Sequence, residues 1–282
     1  METIENNYLK VSINPVGAVL TSIFFKENNE EVLYQKEKDS WPFQDVVIFP
    51  LIGAGHYVYQ DKEYSMKTRH GFLRNEELKV IEKSDSKIIF KLEASKESFE
   101  EYPFNFAFYI TYELTKNALT VTTKVKNAGE KTIYFSYGSH TGIRARSDIG
   151  SVIFDKDYQF LPLICGLIDR NNRDNINFNC VNLKKDSFKK RDTFVFKGSK
   201  EKLELFTGLD NLVVNYEFDA PYFAIWSNPN KGEFVCIEPW WGISNYVDET
   251  EDLSKREAIN TLKKNEETSF SYKLIFENKT SD

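Results

Sequence analysis

Phe104, Phe106, Phe108, Ile110, Tyr112 and Leu114 occupy every second position, with the intervening residues on the opposite side. Only an extended strand repeats with a period of two, so this stretch predicts a half-buried strand. Residues 115–118 turn the chain back into Leu119, Val121, Thr123 and Val125, which alternate with Thr120, Thr122, Lys124 and Lys126. The pair reads as an antiparallel hairpin with one wet face. Shorter runs of the same kind precede it at 9–13, 19–25, 46–49, 56–59, 64–66, 78–80 and 88–92, separated by polar turns. Others follow at 133–137, 193–196, 203–206, 212–218, 223–226, 234–237 and 270–276. Residues 96–102 and 253–259 predict short helices, the first stopped by Pro103. The segment 40–43 reads as irregular and 149–182 as loop-rich, with 171–177 its most polar part. Many strands, short turns and no alternating helices predict an all-β antiparallel architecture, read as a single domain over residues 1–282.

Composition narrows this further. The chain has 282 residues, 41% hydrophobic and 28% charged, which suits a globular protein with a sizeable core. Its 23 Phe and 15 Tyr favour pleated, half-buried surfaces. A formal net charge of -6 argues against nucleic acid as a partner, since phosphate backbones require a basic face. The first residues lack a cationic stretch followed by an apolar one, and no run is long enough to cross a bilayer, so a cytoplasmic location without a membrane partner is expected. Cys165, Cys180 and Cys236 are odd in number and widely spaced, supporting neither a disulfide framework nor a zinc cluster.

Candidate chemistry gathers at three places. An apolar run from Phe234 ends in Glu238 directly before Pro239, where a regular strand is expected to stop. Trp240 and Trp241 follow, placing flat apolar faces beside a carboxyl group, as in a pocket for a small polar ligand. Upstream, His70 precedes Gly71, and His140 lies between Gly138 and Gly142, beyond the strand predicted to end at Tyr137, so both histidines are expected on turns where backbone can approach a ligand closely. A histidine and a carboxylate facing one another can exchange protons near neutral pH.

These anchors carry a resemblance. Residues 48–53 (Ile-Phe-Pro-Leu-Ile-Gly), 70–74 (His-Gly-Phe-Leu-Arg), 138–140 (Gly-Ser-His), 192–197 (Asp-Thr-Phe-Val-Phe-Lys) and 236–242 (Cys-Ile-Glu-Pro-Trp-Trp-Gly) stand in one order. That order resembles the aldose 1-epimerase family of the galactose mutarotase superfamily, especially its LacX-like branch. The resemblance implies a large twisted antiparallel β-sandwich and cofactor-independent, metal-free interconversion of the anomers of a hexose or related aldose. It implies Glu238 as the base at the anomeric hydroxyl and His140 as the acid at the ring oxygen, facing each other with room for a pyranose ring between them. His70 and Asp192 match groups that hold sugar hydroxyls, and Trp240 or Trp241 would line the sugar's apolar face.

The sequence departs from the pattern at Ala54, where relatives carry Arg, and at Thr141, Gly142, Ile143 and Arg144 after the histidine. Arg69 or Arg74 is the candidate replacement cation for sugar contacts. Three alternatives stay open: a carbohydrate-binding protein without catalysis, a mutarotase for a hexose 6-phosphate met by Arg69, Arg74 or Arg144, and a metal hydrolase using His70, His140 and Glu238. Oligomeric state is not legible.

Overall fold

The period-two run forms the strand Phe106–Thr115, paired along its whole length with Ala118–Asn127. Phe108, Ile110 and Tyr112 are fully buried while Glu113 and Thr115 are exposed, as the alternation demands. The computed structural model describes residues 1–36, 40–164, 166–169, 177–189, 193–228 and 232–279. An antiparallel path runs through Asp45–Ile48, Tyr137–Arg144, Phe234–Trp241, Tyr222–Trp226, Thr193–Lys197 and Ser151–Leu161. It continues through Glu201–Phe206, Leu212–Phe218, Glu267–Asn278, Ala118–Asn127, Phe106–Thr115, Lys87–Glu93 and Lys79–Lys83.

The path folds over on itself to make two layers. Ser151–Leu161 belongs to both, pairing with Glu201–Phe206 near its start and with Thr193–Lys197 at its end. Across the interior, Tyr137 stacks on Phe270 with ring centroids 5.5 Å apart, Phe49 meets Phe108 at 5.0 Å, and Ser139 Oγ bonds Tyr272 Oη at 2.8 Å. This is the β-sandwich that the pattern and resemblance anticipate. A separate four-stranded antiparallel sheet, from Glu2–Glu5 to Glu30–Glu31, is formed by the N-terminal segment.

In the first layer successive residues serve different cores. Tyr137, Ile143, Phe223, Ile225, Val235 and Ile237 face the interior cluster. Val46, Ile48, Ala224, Cys236 and Trp240 face a second, smaller cluster on the layer's outer side. That outer side carries the candidate site.

Three expectations are corrected. Ser151–Leu161 and Asn177–Asn182 are strands within the region read as loop-rich; Val152, Phe154, Tyr158 and Phe160 are buried in alternation, but Asp155, Lys156 and Asp157 mask the period in the sequence. Residues 171–176 of the polar stretch lie outside the described residues. The second helix reduces to a 3-10 turn, Leu253–Lys255, capped by the Asp252 side chain. The strand bearing Glu238 does not stop at Pro239 but runs to Trp241. Its ladder to Tyr137–Arg144 pairs Gly138 with Trp240 and Thr141 with Ile237, and lapses between them, where proline's missing N–H costs no ladder bond.

Candidate active site

The register on either side of that lapse sets His140 opposite Glu238 on neighbouring strands, both on the outer face, so His140 stands within the strand Tyr137–Arg144 and not on the expected turn. His140 Nε2 lies 3.4 Å from Glu238 Oε1. The pair therefore sits side by side on one wall, and the expected ring-wide gap between the two groups is absent. Side-by-side placement lets a carboxyl and an imidazole exchange protons with two oxygens bonded to one carbon. Burial pushes the Glu238 carboxyl up to about 8, opposed by the Trp240 hydrogen bond and the charge of Arg69. Burial, with Arg74 and Arg69 nearby, pulls the His140 imidazole down to about 3. Both causes favour neutral side chains, so the pair holds one proton, resting on Glu238, across the pH range between those values.

His70 is placed by its backbone. It adopts φ +69 and is clasped by Gly53: the His70 N–H donates to the Gly53 carbonyl at 2.9 Å, and the Gly53 N–H donates to His70 Nδ1 at 3.2 Å. A nitrogen that accepts a hydrogen bond carries no proton, so neutral His70 bears its hydrogen on Nε2 as a donor. Gly71 follows at φ +82, where a Cβ would run into the Phe49 carbonyl. The His70 and His140 rings meet edge to face, with centroids 5.7 Å apart.

A cavity of about 820 Å³ opens over these groups, within the range typical of small-molecule sites. Trp240 is on its wall and donates Nε1–H to Glu238 Oε2 at 3.2 Å. Trp241, one residue on, points to the other face and packs against Tyr137 and Phe270 in the interior, so it is not a cavity residue. Arg69 and Arg74 both reach the cavity. Among the described residues neither guanidinium has a carboxylate partner: Arg74 donates to the Arg69 carbonyl and lies over the Phe43 ring. Arg144 is placed elsewhere, held by Glu30 and the Glu31 carbonyl, and Ala54 is exposed outside the cavity lining. Asp192 lies outside the described residues; Thr193 beside it lines the cavity.

Trp41, Trp226 and Ser244 also line the cavity and had not been singled out in the sequence. Among the described residues the buried Ser244 hydroxyl has no hydrogen-bond partner, an unsatisfied polar atom of the kind a ligand hydroxyl can complete. Trp226 was legible as the final residue of a predicted strand, whereas Trp41 lies in an irregular segment with no local signal.

Behind the wall, on the interior face, Asp45 accepts hydrogen bonds from the Leu20 N–H at 2.8 Å and the Thr141 hydroxyl at 2.7 Å. Thr141 Oγ1 lies 3.0 Å from Ser139 Oγ. This network pins both neighbours of His140 and gives Thr141 a structural purpose. Among the described residues no three His, Cys, Asp or Glu side chains cluster as a metal site, and no helix is long and apolar enough to cross a membrane.

A family model described as aldose 1-epimerase matches residues 2–274. Protein LacX, chromosomal, of Lactococcus lactis subsp. lactis is 26% identical over 281 residues, covering 92% of this chain and 93% of its own. A galactose mutarotase related enzyme from Lactobacillus acidophilus has the same fold at TM-score 0.93 and 30% identity, with 100% of this chain and 98% of that one covered. A galactose mutarotase-like protein from Lactobacillus casei ATCC 334 gives TM-score 0.88 at 25% identity, with coverage of 98% and 100%.

Proposed function

The chain belongs to the aldose 1-epimerase family, and from that premise we propose that it interconverts the α and β anomers of an aldose, with Glu238 and His140 as its proton-transfer pair. The observation that carries this reading is the 3.4 Å contact of these two side chains on the wall of a sugar-sized cavity. Ring opening needs a proton taken from the anomeric hydroxyl and another given to the ring oxygen, whereupon the bond from the anomeric carbon to the ring oxygen breaks. In this reading Glu238 takes the first and His140 Nε2 gives the second, after the shared proton has crossed to the imidazole. The step leaves the proton on Glu238 and the imidazole neutral, the distribution that burial favours. Rotation about the bond beside the aldehyde and the reverse transfers then close the ring on its other face.

His70 Nε2–H and the Ser244 hydroxyl are the proposed contacts for sugar oxygens, with Trp240 beside the ring and Asp192 a further hydroxyl contact. A pure anomer should equilibrate faster with the protein than without it, followed by polarimetry or NMR. Sugar affinity with no acceleration would instead select the binding protein.

A second reading concerns the substrate alone. Arg69 and Arg74 stand in the cavity without a carboxylate partner among the described residues, which favours an aldose carrying an anionic group such as a 6-phosphate. Arg144, spent on Glu30, has no part in it.

A further inference from the structure

His140 lacks the usual means of orientation. An imidazole at work in proton transfer is normally fixed by a hydrogen bond at its second nitrogen, which sets both ring angle and tautomer. Here Nδ1 is buried and, among the described residues, has no hydrogen-bond partner beyond the histidine's own backbone. What touches the ring instead is aromatic. Trp41 lies on its face, with centroids 4.8 Å apart and planes 22° from parallel, and Trp226 meets it edge-on at 5.3 Å and 71°.

Trp41 is itself held. Its ring is nearly parallel to Phe234 at 5.6 Å and to Tyr34 at 6.2 Å, and it is edge-on to Trp226 at 5.5 Å. The histidine strand makes room for it: a Cβ on Gly142 would lie 2.9 Å from Trp41 Cζ3. The Gly142 N–H also donates to the Gln44 carbonyl at 2.9 Å, which ties the Trp41 segment to the same strand.

We infer that Trp41 is a positioning residue for His140, a stacked plate that fixes the imidazole's angle and shields it from water in place of a hydrogen bond at Nδ1. The catalytic consequence rests on the mutarotase reading; the orientation itself does not. Because His140 covers part of the indole face, that part is closed to a stacking sugar. The titratable and charged groups around the imidazole are Glu238, His70, Arg69 and Arg74. None of them is altered by changing Trp41 or Gly142.

The test uses Trp41→Phe, Trp41→Leu and Gly142→Ala in the full chain, with near-ultraviolet circular dichroism to check folding. The His140 imidazole is titrated by NMR without sugar, and anomer exchange is measured with a panel of aldoses. The expected result is an imidazole titration raised by about one pH unit or more toward its ordinary value in Trp41→Leu and Gly142→Ala, and by less in Trp41→Phe. Turnover should fall about tenfold or more with KM within about twofold, and its acid limb should move with the imidazole. If Trp41→Leu does not fold, the milder Phe and Gly142→Ala variants decide. An unchanged His140 titration in the folded variants, or a rise in KM with turnover kept, would overturn the inference, the latter making Trp41 a sugar platform. A shifted titration in a protein that accelerates no anomer exchange would leave the inference standing and remove the mutarotase reading instead.

Discussion

Glu238 Oε1 and His140 Nε2 stand 3.4 Å apart although the residues are separated by most of a hundred positions in sequence. Antiparallel pairing of their strands makes them neighbours, and burial leaves them one proton between them. A pair in that state can give and take a proton in the same encounter, as an anomer exchange requires.

The rate should follow that protonation state. As pH rises through about 8, Glu238 loses the shared proton, and as it falls toward 3 His140 gains a second one. The expected kcat/KM profile is a broad bell with its alkaline limb near pH 8, measured by polarimetry after subtracting the spontaneous reaction. An alkaline limb near the ordinary carboxyl value of 4.5 would contradict a shared proton resting on Glu238.

Removing either member should cost most of the acceleration. Glu238→Gln and His140→Ala are each expected to lower kcat by about 10²- to 10⁴-fold, the usual worth of a proton-transfer group. Because the residues act as a unit, the double variant should be little slower than the worse single one.

The same carboxyl should be a liability for folding. A group whose folded value is raised contributes stability that is present below its unfolded value, near 4.5, and lost as pH rises through about 8. Glu238→Gln has no such loss, so its Tm should exceed that of the unaltered protein at pH 9, with the gap narrowing toward pH 4. Thermal denaturation at the two pH values checks the sign.

If the substrate is anionic, the arginines should show it. Arg69→Ala and Arg74→Ala are expected to raise KM for a hexose 6-phosphate by about tenfold or more each, consistent with loss of a charge-assisted hydrogen bond. KM for the parent hexose should change far less. Equal effects on both sugars would assign the arginines to the cavity wall and not to an anion.

Asp45 offers a test of the scaffold. Asp45→Ala would strand the buried Leu20 N–H, at about 1–3 kcal/mol, and would leave the Thr141 hydroxyl with Ser139 as its remaining partner. Asp45→Asn keeps an acceptor for one and a polar partner for the other, and should cost less. Urea denaturation of the two variants gives the comparison.

Much of this was legible from spacing alone. The strand Phe106–Thr115 announced itself because nothing charged interrupts its buried face, whereas Ser151–Leu161 was hidden by acidic residues and a lysine at its centre. His70, His140, Glu238 and Trp240 were singled out by local context, and all line one cavity. Trp241 was paired with Trp240 because the strand was expected to end at Pro239; carrying the period of two through the proline would have sent the two indoles to opposite faces. Trp41 and Ser244 belong to segments with no repeat, and their arrival at the cavity is a product of tertiary folding.

The cavity has a floor of hydrogen-bonded strands, and beneath that floor lies close-packed core. A ligand resting there has no passage through the sheet, so it must depart on the side from which it arrived. For an enzyme that turns one anomer into the other, reactant and product then contend for the same berth, and each should act as a competitive inhibitor of the other's conversion.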